Sequence, residues 1–236
     1  MLPAIVYALI ATHITIVCVT VYLHRGVTHR ALEFSPLLAH AMRFWLWLTT
    51  GMVTQQWVAI HRKHHQKTDS LGDPHSPHIF GIWQVLALGS FLYHRAASDK
   101  NMIKSYGGGV PDDWIERNIY YRYNLVGVLL LLLFNMTFFG FFGLVAWIVQ
   151  MLWIPFWAAG VVNGLGHYKG YRNYDTKDKS TNIFPLGIII GGEELHNNHH
   201  NSPQSAKLSN RWYEFDAGWM WIKVFERFKL LKVKHQ

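Results

Sequence analysis

One cysteine, Cys18, stands in a chain of 236 residues. A lone thiol excludes an internal disulfide and cannot build a thiolate metal cluster. Charge is also scarce: 15% of residues are Asp, Glu, Lys or Arg, against roughly 25% in soluble domains. Acidic residues are the scarcer kind, 14 against 22 basic, which leaves a net charge of +8. The basic residues flank apolar stretches and form no separate motif, so nucleic acid is not an expected partner. No Lys or Arg precedes Arg25, so the first apolar run lacks the basic leader of a cleaved signal peptide. The glycines at 107–109 do not join a strand to a helix, which excludes a phosphate cradle. No low-complexity linker divides the chain, and residues 1–236 read as one domain.

Apolar sequence is plentiful. Half of the residues are hydrophobic, with 11 Trp and 14 Phe. Residues 2–23 are long enough to cross a bilayer. Residues 119–166 form a longer block, broken by Asn135-Met136-Thr137, Gly140 and Gly143; it reads as a helical hairpin, 119–138 and 142–166. The stretch 36–60 is interrupted by His40, Arg43, Gln55 and Gln56. A short piece at 79–93 reads as interfacial.

Histidine is the other abundance. Eight of the 15 lie in three clusters: His24-x4-His29, His61-x2-His64-His65 and His196-x2-His199-His200. Neutral imidazole is a common metal ligand, and eight exceed what one ion coordinates, so the count points to two metals. Positions i, i+3 and i+4 share a helix face, so each of the two later boxes presents three imidazoles to one small volume. His24 and His29 are five apart, about 140° around an α-helix; they straddle a helix end or reach different metals. Asn163 and His167, i and i+4 at the end of the last apolar span, are a polar pair and add a ninth imidazole. His75 and His78 are weaker candidates, His40 supports the ligands from behind or sits at the interface, and His13, His94 and His235 read as packing or surface residues.

These clusters constrain topology. If all three serve one centre, they lie on one side of the membrane. The stretch 36–60 must then dip and return, because His61 follows it, while the hairpin leaves and comes back. Segments 24–35, 61–118 and 167–236 hold nearly all the Lys and Arg, and the turn 135–143 has none. The positive-inside rule therefore puts the metal face in the cytoplasm. The expected fold class is all-α: an integral-membrane helical bundle of three to four spans plus interfacial helices, with a cytoplasmic histidine-rich di-iron cap formed by 61–118 and 167–236. In a bacterium the location would be the inner or plasma membrane.

Nine nitrogens suit two five- or six-coordinate ions better than zinc, which takes four ligands. Iron accepts imidazole and supports dioxygen chemistry. Carboxylates should orient the imidazoles through the other ring nitrogen; Asp69, Asp73, Glu193 and Glu194 are the candidates.

The pattern His-x4-His, His-x2-His-His, His-x2-His-His, from His24 to about Trp221, resembles the integral-membrane fatty acid desaturases of the acyl-CoA (stearoyl-CoA, delta-9) type. Gly192-Glu193-Glu194-Leu195-His196, Asp73-Pro74-His75 and Asn163-x3-His167 match as well. The resemblance implies two irons held by His24, His29, His61, His64, His65, His167, His196, His199 and His200, with Asn163 acting through a water. It implies dioxygen as co-substrate and an external electron donor: a b-type cytochrome, ferredoxin or rubredoxin, with its reductase. Only 23 residues precede His24, room for one span where the family usually has two.

The expected activity is insertion of a cis double bond, delta-9 by resemblance, into a fatty acyl chain on CoA or membrane lipid. Trp57, with Phe44, Trp45 and Trp47, is a candidate for the chain's tunnel. Arg62, Lys63 and Lys67, with Lys100, Lys104, Arg172 and Lys177, are candidates for its polar head. Rival readings are a membrane di-iron hydroxylase or ketolase, a zinc membrane hydrolase, and a metal-binding receptor.

Overall fold

A computed structural model describes residues 1–236. Helix α1 runs from Leu2 to Thr28, longer than the apolar run alone, because its last turns carry the first histidine cluster. From Cys18 to Thr28 its backbone is π-helical. Strand β1 (Leu32–Phe34) follows and pairs antiparallel with β4 (Leu231–Val233), tying the two ends of the chain together. The stretch 36–60 does not form one helix. Helix α2 (Pro36–Thr50) starts at Pro36, capped by Ser35, and stops at Gly51, whose φ of 64° is left-handed. Glycine reaches that region without a Cβ penalty and is the usual helix terminator. Helix α3 (Thr54–Lys67) carries the second histidine box.

Residues 79–93 divide between α4 (Pro77–Phe80) and α5 (Ile82–Ala97), and α6 spans Lys100–Tyr106. The expected span at 119–138 begins later, as α7 (Asn124–Phe139), because Glu116–Tyr121 is a separate π-helical turn. Helix α8 (Phe141–Leu165) closes the hairpin. The third box lies on a short helix, His196–Asn201. A parallel pair of short strands, β2 (Leu186–Gly187) and β3 (Phe215–Asp216), and the helix Ala217–Arg227 complete the cap.

Helices α1 and α8 are long and apolar enough to cross a bilayer, and α7 is a shorter apolar helix. Their outer faces are apolar and exposed, as at Leu9, Leu129, Leu133, Phe138, Phe141 and Leu152. Polar groups turn inward instead: Asn135 is fully buried and its Nδ2 donates to Gln150 Oε1 at 3.0 Å. Apolar outside and hydrogen-bonded polar inside is how a bundle satisfies hydrocarbon. Close approach of α7 and α8 depends on Gly143, where a Cβ would stand 1.9 Å from the Asn135 carbonyl oxygen.

The core joins the end of α1 (Ile16, Tyr22, Leu23) to Met42 and Leu46 of α2, Val58 of α3, Ile154 of α8, and Ala206 and Ile222 of the cap. Its polar fastener is Arg25, fully buried. Its guanidinium donates to both Asp216 oxygens at 2.9 Å and to the Gly191 and Ala206 carbonyls. A buried charge left without its partner costs roughly 3–5 kcal/mol, so this bond pins the C-terminal cap onto α1.

A Gly143→Leu change forces α7 and α8 apart. The expected cost is about 1–3 kcal/mol, read as a lower thermal midpoint in detergent micelles; an unchanged midpoint contradicts this packing.

Candidate metal centre

Three elements bring the histidines together: the end of α1, helix α3 and the helix His196–Asn201. The π-helical backbone resolves the first cluster. A π-helix bonds i to i+5, and His29 N donates to His24 O at 3.1 Å. Residues five apart therefore stack one turn above another, and both His24 and His29 join the same group. The two later boxes do not each converge on one volume, contrary to the reading of their spacing. On an α-helix i+4 lies about 40° to one side of i, and i+3 about 60° to the other. Each box accordingly splits. His61 and His65 join His24, His29 and His199; His64 joins His167, His196 and His200.

The two sets, five and four histidines, converge through their Nε2 atoms. Within the five, His24–His199, His199–His65, His65–His61 and His61–His29 are separated by 3.1, 2.9, 3.0 and 3.0 Å. Within the four, His167–His196 and His196–His200 are 2.9 and 3.1 Å apart, and His64 Nε2 is buried with no hydrogen-bond partner. Separations near 3 Å are those of ring N–H···N hydrogen bonds, and they bring five and four imidazoles within reach of one ion each.

Carboxylates hold the opposite ring nitrogens. His64 Nδ1 meets Asp73 at 3.0 Å, His167 Nδ1 meets Asp69 at 3.0 Å, and His24 Nδ1 lies 2.8 Å from Glu193. His200 Nδ1 meets Asp178 at 3.1 Å. Asp178 was missed in the sequence, because it lies in a loop 22 positions before its histidine, where no periodicity relates the two. Glu194 orients no imidazole; it accepts the backbone N–H groups of Ile190 and Gly192 and shapes the turn before the third box.

Burial pushes His29, His61, His65, His196, His199 and His200 well below the ordinary imidazole value, and neighbouring imidazoles push the same way. They are neutral and fit to bind metal. Burial pushes Asp69 up, but its bonds to His167, Ser76 and the Lys179 N–H outweigh it and bring the carboxyl to about 2.

A cavity of about 300 Å³ opens beside the histidines, lined by His24, His61 and His196, by Trp57 and Asn163, and by Gln150 further along α8. His75 also faces it, buried with its Nε2 unpartnered, its ring 4.5 Å from that of His64. Arg62 is not on this wall; it donates to the carbonyls of Val27, Thr28, Tyr106 and Gly108 and fastens α3 to its neighbours. Lys63 and Lys67 are also absent from the lining, and Lys67 is exposed. The indoles of Trp45 and Trp47 are bonded to Thr15 and Tyr123, and Phe44 is exposed.

Apolar spanning helices, two converging histidine sets and an apolar cavity ending on them define an integral-membrane helical protein with a histidine-built metal centre. The fatty acid desaturase family model matches residues 1–228, and the chain belongs to that family. It is 29% identical over 212 residues to an sn-1 stearoyl-lipid 9-desaturase of Anabaena variabilis, covering 88% of this chain and 75% of that one. It is 32% identical to the delta-9 desaturase-like 3 protein of Arabidopsis thaliana (88% and 69% covered) and 30% identical to an acyl-CoA 5-desaturase of Anemone leveillei (88% and 64% covered). As a member of this family, the protein is an oxidoreductase.

Replacing Asp178 with Ala removes the acceptor that orients His200. The expected loss is about 10–100-fold in metal affinity, confined to the four-histidine set and read as one ion of two lost first under chelator titration. Glu194→Gln should leave both ions in place. Acid should also loosen the fold. The unfolded chain's histidines take protons below about pH 6.5, whereas the buried ones resist, so the unfolded state binds more protons and stability falls as pH drops. The thermal midpoint of the metal-free protein at pH 5 is expected to lie below that at pH 7.5; a flat profile contradicts it.

Proposed function

We propose that this protein is a di-iron, dioxygen-dependent fatty acyl desaturase that inserts a cis double bond, delta-9 on the pattern of its relatives, into a chain carried on CoA or membrane lipid. The observation that carries the reading is the convergence of nine imidazoles in sets of five and four beside an apolar cavity. Nine neutral nitrogens suit two ions of five or six ligands better than zinc, which takes four. The ligands are His24, His29, His61, His65 and His199 for one ion, and His64, His167, His196 and His200 for the other. Asn163, on the cavity wall beside His196, completes the smaller set through water. Residues 1–236 act as one domain, with the metal face in the cytoplasm as the charge asymmetry requires.

A mid-chain methylene has no acidic proton, so general bases cannot start the reaction. The irons, with dioxygen and electrons from an external donor, supply the power to take hydrogens from unactivated carbon. The chain's own residues do the rest. Trp57 stacks against His61, their rings 5.0 Å apart, and forms the wall between that imidazole and the acyl chain. Asp69, Asp73, Asp178 and Glu193 fix each ring they hold, with the Nε2 lone pair inward. Apolar walls at Ile154, Ala158 and Val162 exclude water and hold one methylene pair against the centre. A cavity near 300 Å³ is at the small end of ligand sites, which suits a single chain.

Expression in a host lacking its own desaturase, with fatty acids profiled by gas chromatography, is expected to show a new double bond that His64→Ala abolishes. The purified protein should hold two irons. One zinc per chain, or two irons with a working donor and no product, overturns the proposal.

A further inference from the structure

The end of α1 is closed by a side chain from another helix. Backbone N–H groups take the carbonyls of His24, Arg25 and Gly26. Those of Val27 and Thr28 are left over, as the last carbonyls of a helix are. Arg62 of α3 takes both. Its Nη2 donates to Val27 O and Thr28 O at 3.1 Å each, and its Nε to Thr28 O at 3.2 Å. Its Nη1 donates to the carbonyls of Tyr106 and Gly108, at 3.2 and 2.6 Å, where α6 ends. These are five bonds, as many as a guanidinium has N–H groups. None is left over for the polar head of a substrate.

The bonds fall between metal-site residues. Arg62 follows His61, and Thr28 precedes His29. The Nε2 atoms of His29 and His61 are 3.0 Å apart. A closed ring results: from His61 to Arg62 along α3, across to the Thr28 carbonyl, on to His29, and back through the imidazoles. His24 rides on the same end, because the His29 N–H donates to its carbonyl. The end of α1 supplies two members of the five-histidine set and none of the four-histidine set.

We propose that Arg62 is a positioning residue for the five-histidine set: its fork holds the end of α1 against α3, so that His24 and His29 meet His61 and His65 before an ion enters. The inference rests on reading the two histidine sets as metal sites. A planar fork on two adjacent carbonyls fixes separation and angle together, which a point charge does not. Ligands already in place lose less freedom on binding. The four-histidine set draws on α3, on His167 just beyond α8 and on the helix His196–Asn201, so a slack joint between α1 and α3 leaves it intact. Arg62 therefore acts on one ion of the two.

The test loads purified protein anaerobically with ferrous iron and counts the iron retained against a graded chelator. Arg62→Lys keeps the charge and loses the fork; Arg62→Gln loses both. Each is expected to release one ion at about 10–100-fold weaker affinity and to keep the other at wild-type affinity. Double variants identify the ion. Arg62→Lys added to His29→Ala should loosen nothing further, whereas Arg62→Lys added to Asp178→Ala should loosen both ions. Wild-type retention in both Arg62 variants overturns the proposal. So does a parallel weakening of both ions with a lower thermal midpoint, which marks general loosening, and so does weakened acyl-CoA binding with both ions kept. The wild type separates the failures: if it never holds two ions, the metal reading falls, whereas two ions in wild type and unchanged retention in the variants sink only the role of Arg62.

Discussion

The approach of imidazole Nε2 atoms to about 3 Å is the constraint on which the rest of the cap depends. A neutral imidazole has one proton to place. At His24, His64, His167 and His200 a carboxylate stands at Nδ1 to receive it. Their Nε2 atoms then face inward as lone pairs, placed to share a cation with the neighbouring rings. Burial holds most of the remaining rings neutral. The acids are as much a part of the centre as the histidines: without them the tautomer is free and the lone pairs need not converge.

The histidines were legible in the sequence because their spacing is itself a geometry. What the spacing could not give was the backbone. An assumed α-helix put His24 and His29 about 140° apart; the π-helical turns put them together. The split of each later box follows from the same 100° step, once i+3 and i+4 are placed on opposite sides of i. Three of the four acids named in advance orient an imidazole. The fourth, Glu194, caps a turn, because its neighbour Glu193 already points to His24. Asp178 carried no signal, since a loop places it and no periodicity does. The break in 36–60 had a visible cause in Gly51, which follows Thr49-Thr50 where a helix stop belongs.

One helix faces both the cavity and the membrane. Helix α8 lines the cavity between Gln150 and Asn163, and its outer face, at Leu152 and Phe156, is exposed as a lipid-facing surface would be. Glycines let its neighbours come close enough to form the wall: Gly89 of α5 packs against the Ala159 carbonyl and Gly160 against that of Leu86. The cavity is thus a gap left by close-packed helices, and the residues lining it are fixed by the packing that stabilises the bundle.

The Arg25–Asp216 bond has a consequence in time. The two residues are 191 positions apart. At a synthesis rate of about 5–20 residues per second, the guanidinium waits roughly 10–40 s for its carboxylate. Until then Arg25 cannot be buried without an unpaired charge, so the end of α1 stays at the water boundary while the hairpin is made. His199, which completes the five-histidine set, also comes late. The nascent chain therefore passes through a stage with every apolar helix synthesised and neither metal set complete, and the last fifth of translation decides whether the centre forms.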